Sequence, residues 1–318
     1  MRAVVTVLGE VAPDKLGFCH SHEHLAIADG YPATVLDHQR IDDMERTAGE
    51  LEEFRRLGGR AVVDAQPTGC CRDPEMLAAL SRRSGIHIIA SAGFHKMIFY
   101  PEAHWIYDWD QDRLARLWTE ELTRGMYIRC DNTPPKERSG IRAGQLKAAL
   151  DEGALTPQYQ KLFGAAARAA VETGAAMMVH IEQGSDPVAL ADFLQREGVP
   201  SRRLIFCHMD RSVPDLSVHK ELCGRGIYLE YDTVGRPRCH SDEREAEIVL
   251  EMLEAGFAHR LLMSLDVTRE RLAAYGGKPG LCHIRNSFLP LLTARGVTRE
   301  QAERIFVGNP ATVFAREV

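Results

Sequence analysis

His20, His22 and His24 stand at alternate positions in the run Phe18-Cys19-His20-Ser21-His22-Glu23-His24-Leu25. In an extended strand, residues two apart share a face. His22 and His24 would then present two imidazoles side by side, a geometry suited to gripping a metal. The same alternation puts His20 on that face, but about 7 Å deeper than His22 at the usual rise per residue, and this depth takes it out of the ligand set. Taken alone the run could equally be an exposed histidine-rich turn, so the metal reading depends on donors elsewhere in the chain.

Those donors occur at or near the ends of later apolar runs. Gln145-Leu146-Lys147-Ala148-Ala149 carries a lysine. Met177-Met178-Val179-His180 and Ile205-Phe206-Cys207-His208 end in histidine, and Met263-Ser264-Leu265-Asp266 ends in a carboxylate. Each has a bland explanation: a hydrogen-bonded structural histidine, a helix-capping aspartate, a lysine reaching out to solvent. Six such residues, each close to a strand end, are poorly explained that way. Imidazole with carboxylate suits Zn, Mn, Co or Ni. Lys147 is the odd member, because an ammonium repels cations. It would have to lose its proton or react with carbon dioxide, giving a carbamate able to bridge two ions.

The elements that must position these groups alternate along the chain. Apolar runs at 16–24, 61–65, 86–92, 142–149, 175–181, 204–208, 227–231 and 261–265 read as strands. Amphipathic stretches at 41–57, 73–84, 111–125, 157–173, 187–197, 214–223, 242–255 and 283–294 read as helices, and 298–314 reads as a final helix and a closing turn at Asn309-Pro310. Pro157, Pro187 and Pro214 fall where a first helical turn accepts proline, and Gly58, Gly174, Gly198, Gly224 and Gly256 where helices end. Eight strand–helix units in one α/β chain point to a (β/α)8 TIM barrel, a single domain over 1–318, with its chemistry at the C-terminal strand ends. A doubly wound sheet would call for a glycine-rich phosphate loop after the first strand, and the sequence has none.

Composition excludes other classes. A net charge of -6 gives no reason to expect nucleic acid binding, and no apolar run approaches a membrane span. The start of the chain does not read as a signal peptide, and the eight cysteines form no CxxC pair. Free thiols in the cytoplasm are expected.

Ser21-His22-Glu23-His24-Leu25 resembles the Thr/Ser-His-Glu-His signature of the phosphotriesterase family, within the amidohydrolase superfamily. The likeness continues through Gly140-Ile141-Arg142-Ala143-Gly144-Gln145-Leu146-Lys147, then His180, His208 and Asp266, and ends in Gly308-Asn309-Pro310-Ala311. It implies two divalent ions, Zn foremost with Mn, Co and Ni as alternatives. His22, His24 and Asp266 would hold the more buried metal, and His180 and His208 the outer one. Carboxylated Lys147 and a hydroxide would bridge them. Paired cations make hydroxide available near neutral pH, and Asp266 is the candidate to accept its proton during attack. Glu23 should point to the opposite face. A homodimer is a family-level expectation.

The family resemblance offers lactones, phosphotriesters and a few amides or esters as substrates. The loop after the third strand, from His95 and Tyr100 to Trp109, is aromatic-rich and reads as a pocket wall, a lid or a dimer contact. The loops after the seventh and eighth strands concentrate Arg236, Arg269, Arg271 and Tyr275, and Arg211 follows His208. Arginine forks match phosphate or carboxylate oxygens, which a neutral organophosphate would not need. The expectation is a lactonase opening a polar sugar lactone, with or without a phosphate. A phosphotriesterase or aryl esterase is the alternative within the family. A retired scaffold acting as a sensor, or a mononuclear deaminase, stands outside that reading.

Overall fold

The computed structural model describes residues 1–36 and 39–318. Eight parallel strands form the barrel: β1 (Cys19–Glu23), β2 (Ala61–Asp64), β3 in two pieces (His87–Ile89 and Ser91–Gly93), β4 (Gln145–Leu150), β5 (Met177–Ile181), β6 (Leu204–Cys207), β7 (Tyr228–Tyr231) and β8 (Leu261–Met263). The first piece of β3 pairs with β2 and the second with β4, so the break at Ala90 turns one wall of the barrel into the next. Gly93 makes that join possible. Its φ is +102°, and a Cβ there would lie 1.9 Å from the Lys147 carbonyl oxygen. The expected fourth strand begins three residues late, at Gln145.

Closure between β8 and β1 falls on the residues of interest. Asp266 N–H donates to the His22 carbonyl and His24 N–H to the Val267 carbonyl, each at 3.1 Å. The Glu23 carboxylate accepts from Leu265 N at 3.1 Å and Val267 N at 2.8 Å, so its side chain ties the two strands together.

Helices Met44–Arg56, Pro74–Ser84, Gln111–Thr123, Pro157–Thr173, Pro187–Arg196, Leu216–Gly224 and Asp242–Glu254 form the outer ring. Asp43, Asp73, Asp110, Thr156, Asp186, Asp215 and Ser241 cap them, each accepting a backbone N–H of the first turn. The expected helices over 283–294 and 298–314 are not continuous. Wide π turns at Ile284–Phe288 and Arg304–Gly308 precede Pro290 and Pro310, which lack the N–H a regular turn needs.

Along β5 the residues alternate between the two faces. Met177, Val179 and Ile181 face the helices, whereas Met178 faces inward with Ile89, Ile205, Cys207 and Leu262. The N-terminal end is sealed by a sheet absent from the sequence reading, Arg2–Thr6 paired antiparallel with Gly9–Val11 and Ala315–Glu317. Val4, Phe314 and Ala315 bury there, and a fully buried side chain the size of valine or phenylalanine contributes about 1.5–3 kcal/mol. The lower interior is thereby a packed apolar plug. Among the described residues, no helix is long and apolar enough to cross a membrane.

Candidate active site at the C-terminal mouth of the barrel

β1 does not keep the alternation that its sequence suggests. Its register with β2 shifts between His20 and Glu23. A bulge of this kind re-aims the residues beyond it. His22 faces the barrel mouth, whereas His20 packs outward, its ring 4.5 Å from Phe54 and its Nδ1 2.8 Å from Glu23. The reading that placed His20 on the ligand face is thus corrected: the bulge, rather than depth, separates it from His22 and His24.

At the mouth, donor atoms of His22, His24 and Asp266 lie within 4.8 Å of one another. Asp266 Oδ1 is 3.7 Å from His22 Nε2 and 3.6 Å from His24 Nε2. The His208 ring sits 5.0 Å from His22 and 4.3 Å from His180, centroid to centroid. Lys147, fully buried, reaches up from mid-strand and places Nζ 3.0 Å from His22 Nε2. His208 (φ 63°) and Asp266 (φ 49°) both adopt the left-handed conformation just past their strands. Such strain persists only where surrounding contacts hold it.

Those contacts are specific. Asp232, at the end of β7, accepts hydrogen bonds from His22 Nδ1 at 3.0 Å and His208 Nδ1 at 2.6 Å. Both rings are thereby fixed through Nδ1, leaving Nε2 as the nitrogen that would face a cation, the arrangement that orients metal-binding histidines. Glu182 lies 3.2 Å from His180 Nε2 and pairs with Lys96, so Nδ1 is the ring nitrogen of His180 outside that contact. Asp266 Oδ2 is anchored by Arg236 at 3.0 Å and Arg211 at 3.3 Å, so Oδ1 is the oxygen left for the donor group.

Electrostatics match this division. Burial pulls His24 down to about 3 and His180 to about 4, and holds His208 well below 6.5, so all three imidazoles stay neutral with a lone pair available. Burial alone would raise Asp266. Arg236, His22, His208 and Arg211 outweigh it and keep this carboxylate ionised well below its usual range. Neutral imidazoles, a carboxylate and a buried lysine form a residue set that a pair of divalent cations would fit.

A cavity of about 260 Å³ opens above these donors. His95, Arg211 and Arg236 line it, with Leu36, Gln39, Lys96, Phe99, Arg238 and Thr268. The structure does not bring the other expected substrate-binding residues there. Arg271 is buried and donates to the carbonyls of Val234, Gly235 and Leu265, clamping the two loops together. Arg269 donates to the Arg40 carbonyl and lies over Tyr275, whose hydroxyl binds Thr47 and the Asp43 backbone. The Tyr100 hydroxyl accepts from His95 N at 2.9 Å, beneath the wall rather than in it. The aromatic loop is mostly packed into the core, with Phe99 on the cavity and Ile98 left exposed. Asp232 went unnoticed in the sequence, although it ends a strand as Asp266 and His180 do.

Fold and site together define a barrel hydrolase. The chain belongs to the phosphotriesterase family, whose model matches residues 2–314. It is 30% identical to a phospho-furanose lactonase of Mycoplasmopsis synoviae, over 98% of this chain and 91% of the relative. It is 27% identical to the N-acetyltaurine hydrolase of Danio rerio, over 96% of each. The crystal structure of an amidohydrolase from Mycoplasma synoviae superposes with a TM-score of 0.94 at 27% identity, covering 99% of this chain and 92% of that one.

Proposed function

We propose that the protein is a binuclear metal-dependent lactonase that opens a polar, anionic sugar lactone, with a sugar lactone phosphate as the preferred form. One observation carries the choice of substrate. The cavity presents Lys96, Arg211, Arg236 and Arg238 around Lys147 and the histidines, against the lone carboxylate of Asp266 among the described lining residues. A neutral phosphotriester would find only Leu36 and Phe99 as apolar surface. Similarity to a phospho-furanose lactonase supports the same reading.

In this proposal His22, His24 and Asp266 would hold one cation and His180 and His208 the second, with Lys147, carboxylated, as a further ligand. Zn is the ion best suited to these donors. Two bound cations would supply an acidified water and a polarised carbonyl. The chain's own residues do the rest. Asp232 keeps the His22 and His208 rings in place through their Nδ1 atoms. Asp266, held at Oδ2 by Arg236 and Arg211, is the residue placed to accept a proton. Arg238 and Lys96, at the rim, draw in and orient the anionic end of the substrate.

The N-acetyltaurine hydrolases support a second reading, an amide carrying an anion, because the same rim would accept a sulfonate. A substrate panel decides between them: aldonolactones with and without phosphate, N-acetyltaurine, and an activated phosphotriester. Fastest turnover of a phosphorylated lactone is expected. Preferential cleavage of the phosphotriester, or of N-acetyltaurine with no lactone opening, overturns the lactonase reading.

A further inference from the structure

Beside the mouth, and outside the ligand set above, a second group of donors converges. Asp210 follows β6, His240 ends the loop after β7, and Glu245 lies in the first turns of the helix Asp242–Glu254. One donor atom from each lies within 4.8 Å of the others. Glu245 is fully buried, yet neither of its carboxylate oxygens has a hydrogen-bond partner of good geometry, nor has Asp210 Oδ1. His240 Nε2 stands 3.1 Å from Glu245 Oε2, and this imidazole reaches partway to solvent. Neighbouring charges are already engaged: Asp242 pairs with His283, and Arg211 with Asp232 and Asp266.

Two carboxylates buried face to face require a positive charge or a shared proton. Buried polar groups left without a partner are destabilising. A cation satisfies all of them at once, and one imidazole with two carboxylates is a donor set for a first-row divalent ion. We propose that Asp210, His240 and Glu245 bind a structural divalent cation, Zn²⁺ by their chemistry, separate from the catalytic pair. The site has a mechanical consequence. Asp210 Oδ2 also accepts from Thr233 N at 2.7 Å, so the cation would fix both ends of the loop that carries Arg236 and Arg238. The loop's arginines would then be held over the cavity by a metal that never touches substrate.

The test compares the zinc-loaded protein with Glu245→Gln and His240→Ala variants, by elemental analysis and by anomalous diffraction at the zinc edge. Each variant is expected to hold one zinc per chain fewer than wild type. The wild type should show an anomalous peak among these three side chains, and Glu245→Gln should melt at a lower temperature. A group that merely shares a proton gives the opposite signs: unchanged zinc content, no peak at this position, and a Glu245→Gln variant that melts higher because a buried negative charge is gone. That outcome overturns the proposal. The readout is a difference between variants, so it holds whatever the catalytic donors bind.

Discussion

The lower and upper halves of the barrel interior are built from the same strands, yet they obey opposite rules. On β5, Met178 faces the apolar plug, and two residues further His180 faces the mouth. β6 and its exit pass from Ile205 to His208, and β8 and its exit from Leu262 to Asp266. Below, Met178, Ile205 and Leu262 pack chiefly by volume. Above, buried polar atoms are held in strained or desolvated positions by partners such as Asp232 and Arg236. The difference teaches that stability here comes from the plug, and that the mouth is tolerated because the plug is well packed.

This contrast can be broken or sharpened experimentally. The largest effect is expected at Lys147. Lys147→Ala should lower kcat/KM by about 10³-fold, roughly 4 kcal/mol of lost transition-state stabilisation. A short carboxylic acid should restore part of the rate, and the melting temperature should hardly move. Met178→Ala should do the reverse. Denaturant unfolding should show a loss of about 2–5 kcal/mol, with activity per folded molecule retained. A Met178 variant that loses activity without losing stability would erase the distinction between the halves.

Asp232→Asn probes the partners that hold the mouth together. Metal affinity or activity, measured by competition with a chelator and by steady-state rates, should fall about 10–100-fold. Tyr275→Phe gives the smallest effect. It should cost about 0.5–1.5 kcal/mol in thermal unfolding, because the hydroxyl binds Thr47 and the Asp43 backbone, and KM should stay as it was.

Much of this was legible in residue order. Strand ends carrying His22, His24, His180, His208 and Asp266 announce a barrel mouth, because that fold brings the C-terminal ends of all its strands to one place. What alternation could not convey was the bulge after His20, which is a backbone irregularity with no side-chain signature of its own. Nor could composition separate Arg236 from Arg271. Both lie in arginine-rich loops, but one meets a carboxylate and the other three carbonyls, and that depends on where the loops cross. Leu36 and Gln39 reach the cavity from a connection with no local pattern. The π turn before Pro290 was signalled by the proline itself, which periodicity overrode.

The central claim is that a cationic rim above the histidine–lysine–aspartate donors selects an anionic lactone. Its most direct test is the ratio of kcat/KM for one aldonolactone with and without its phosphate, measured on the wild type and on Arg238→Ser. A wild-type ratio of about ten or more, falling toward one in the variant, is expected. Equal rates on the two lactones, or a ratio that Arg238→Ser leaves untouched, would contradict it.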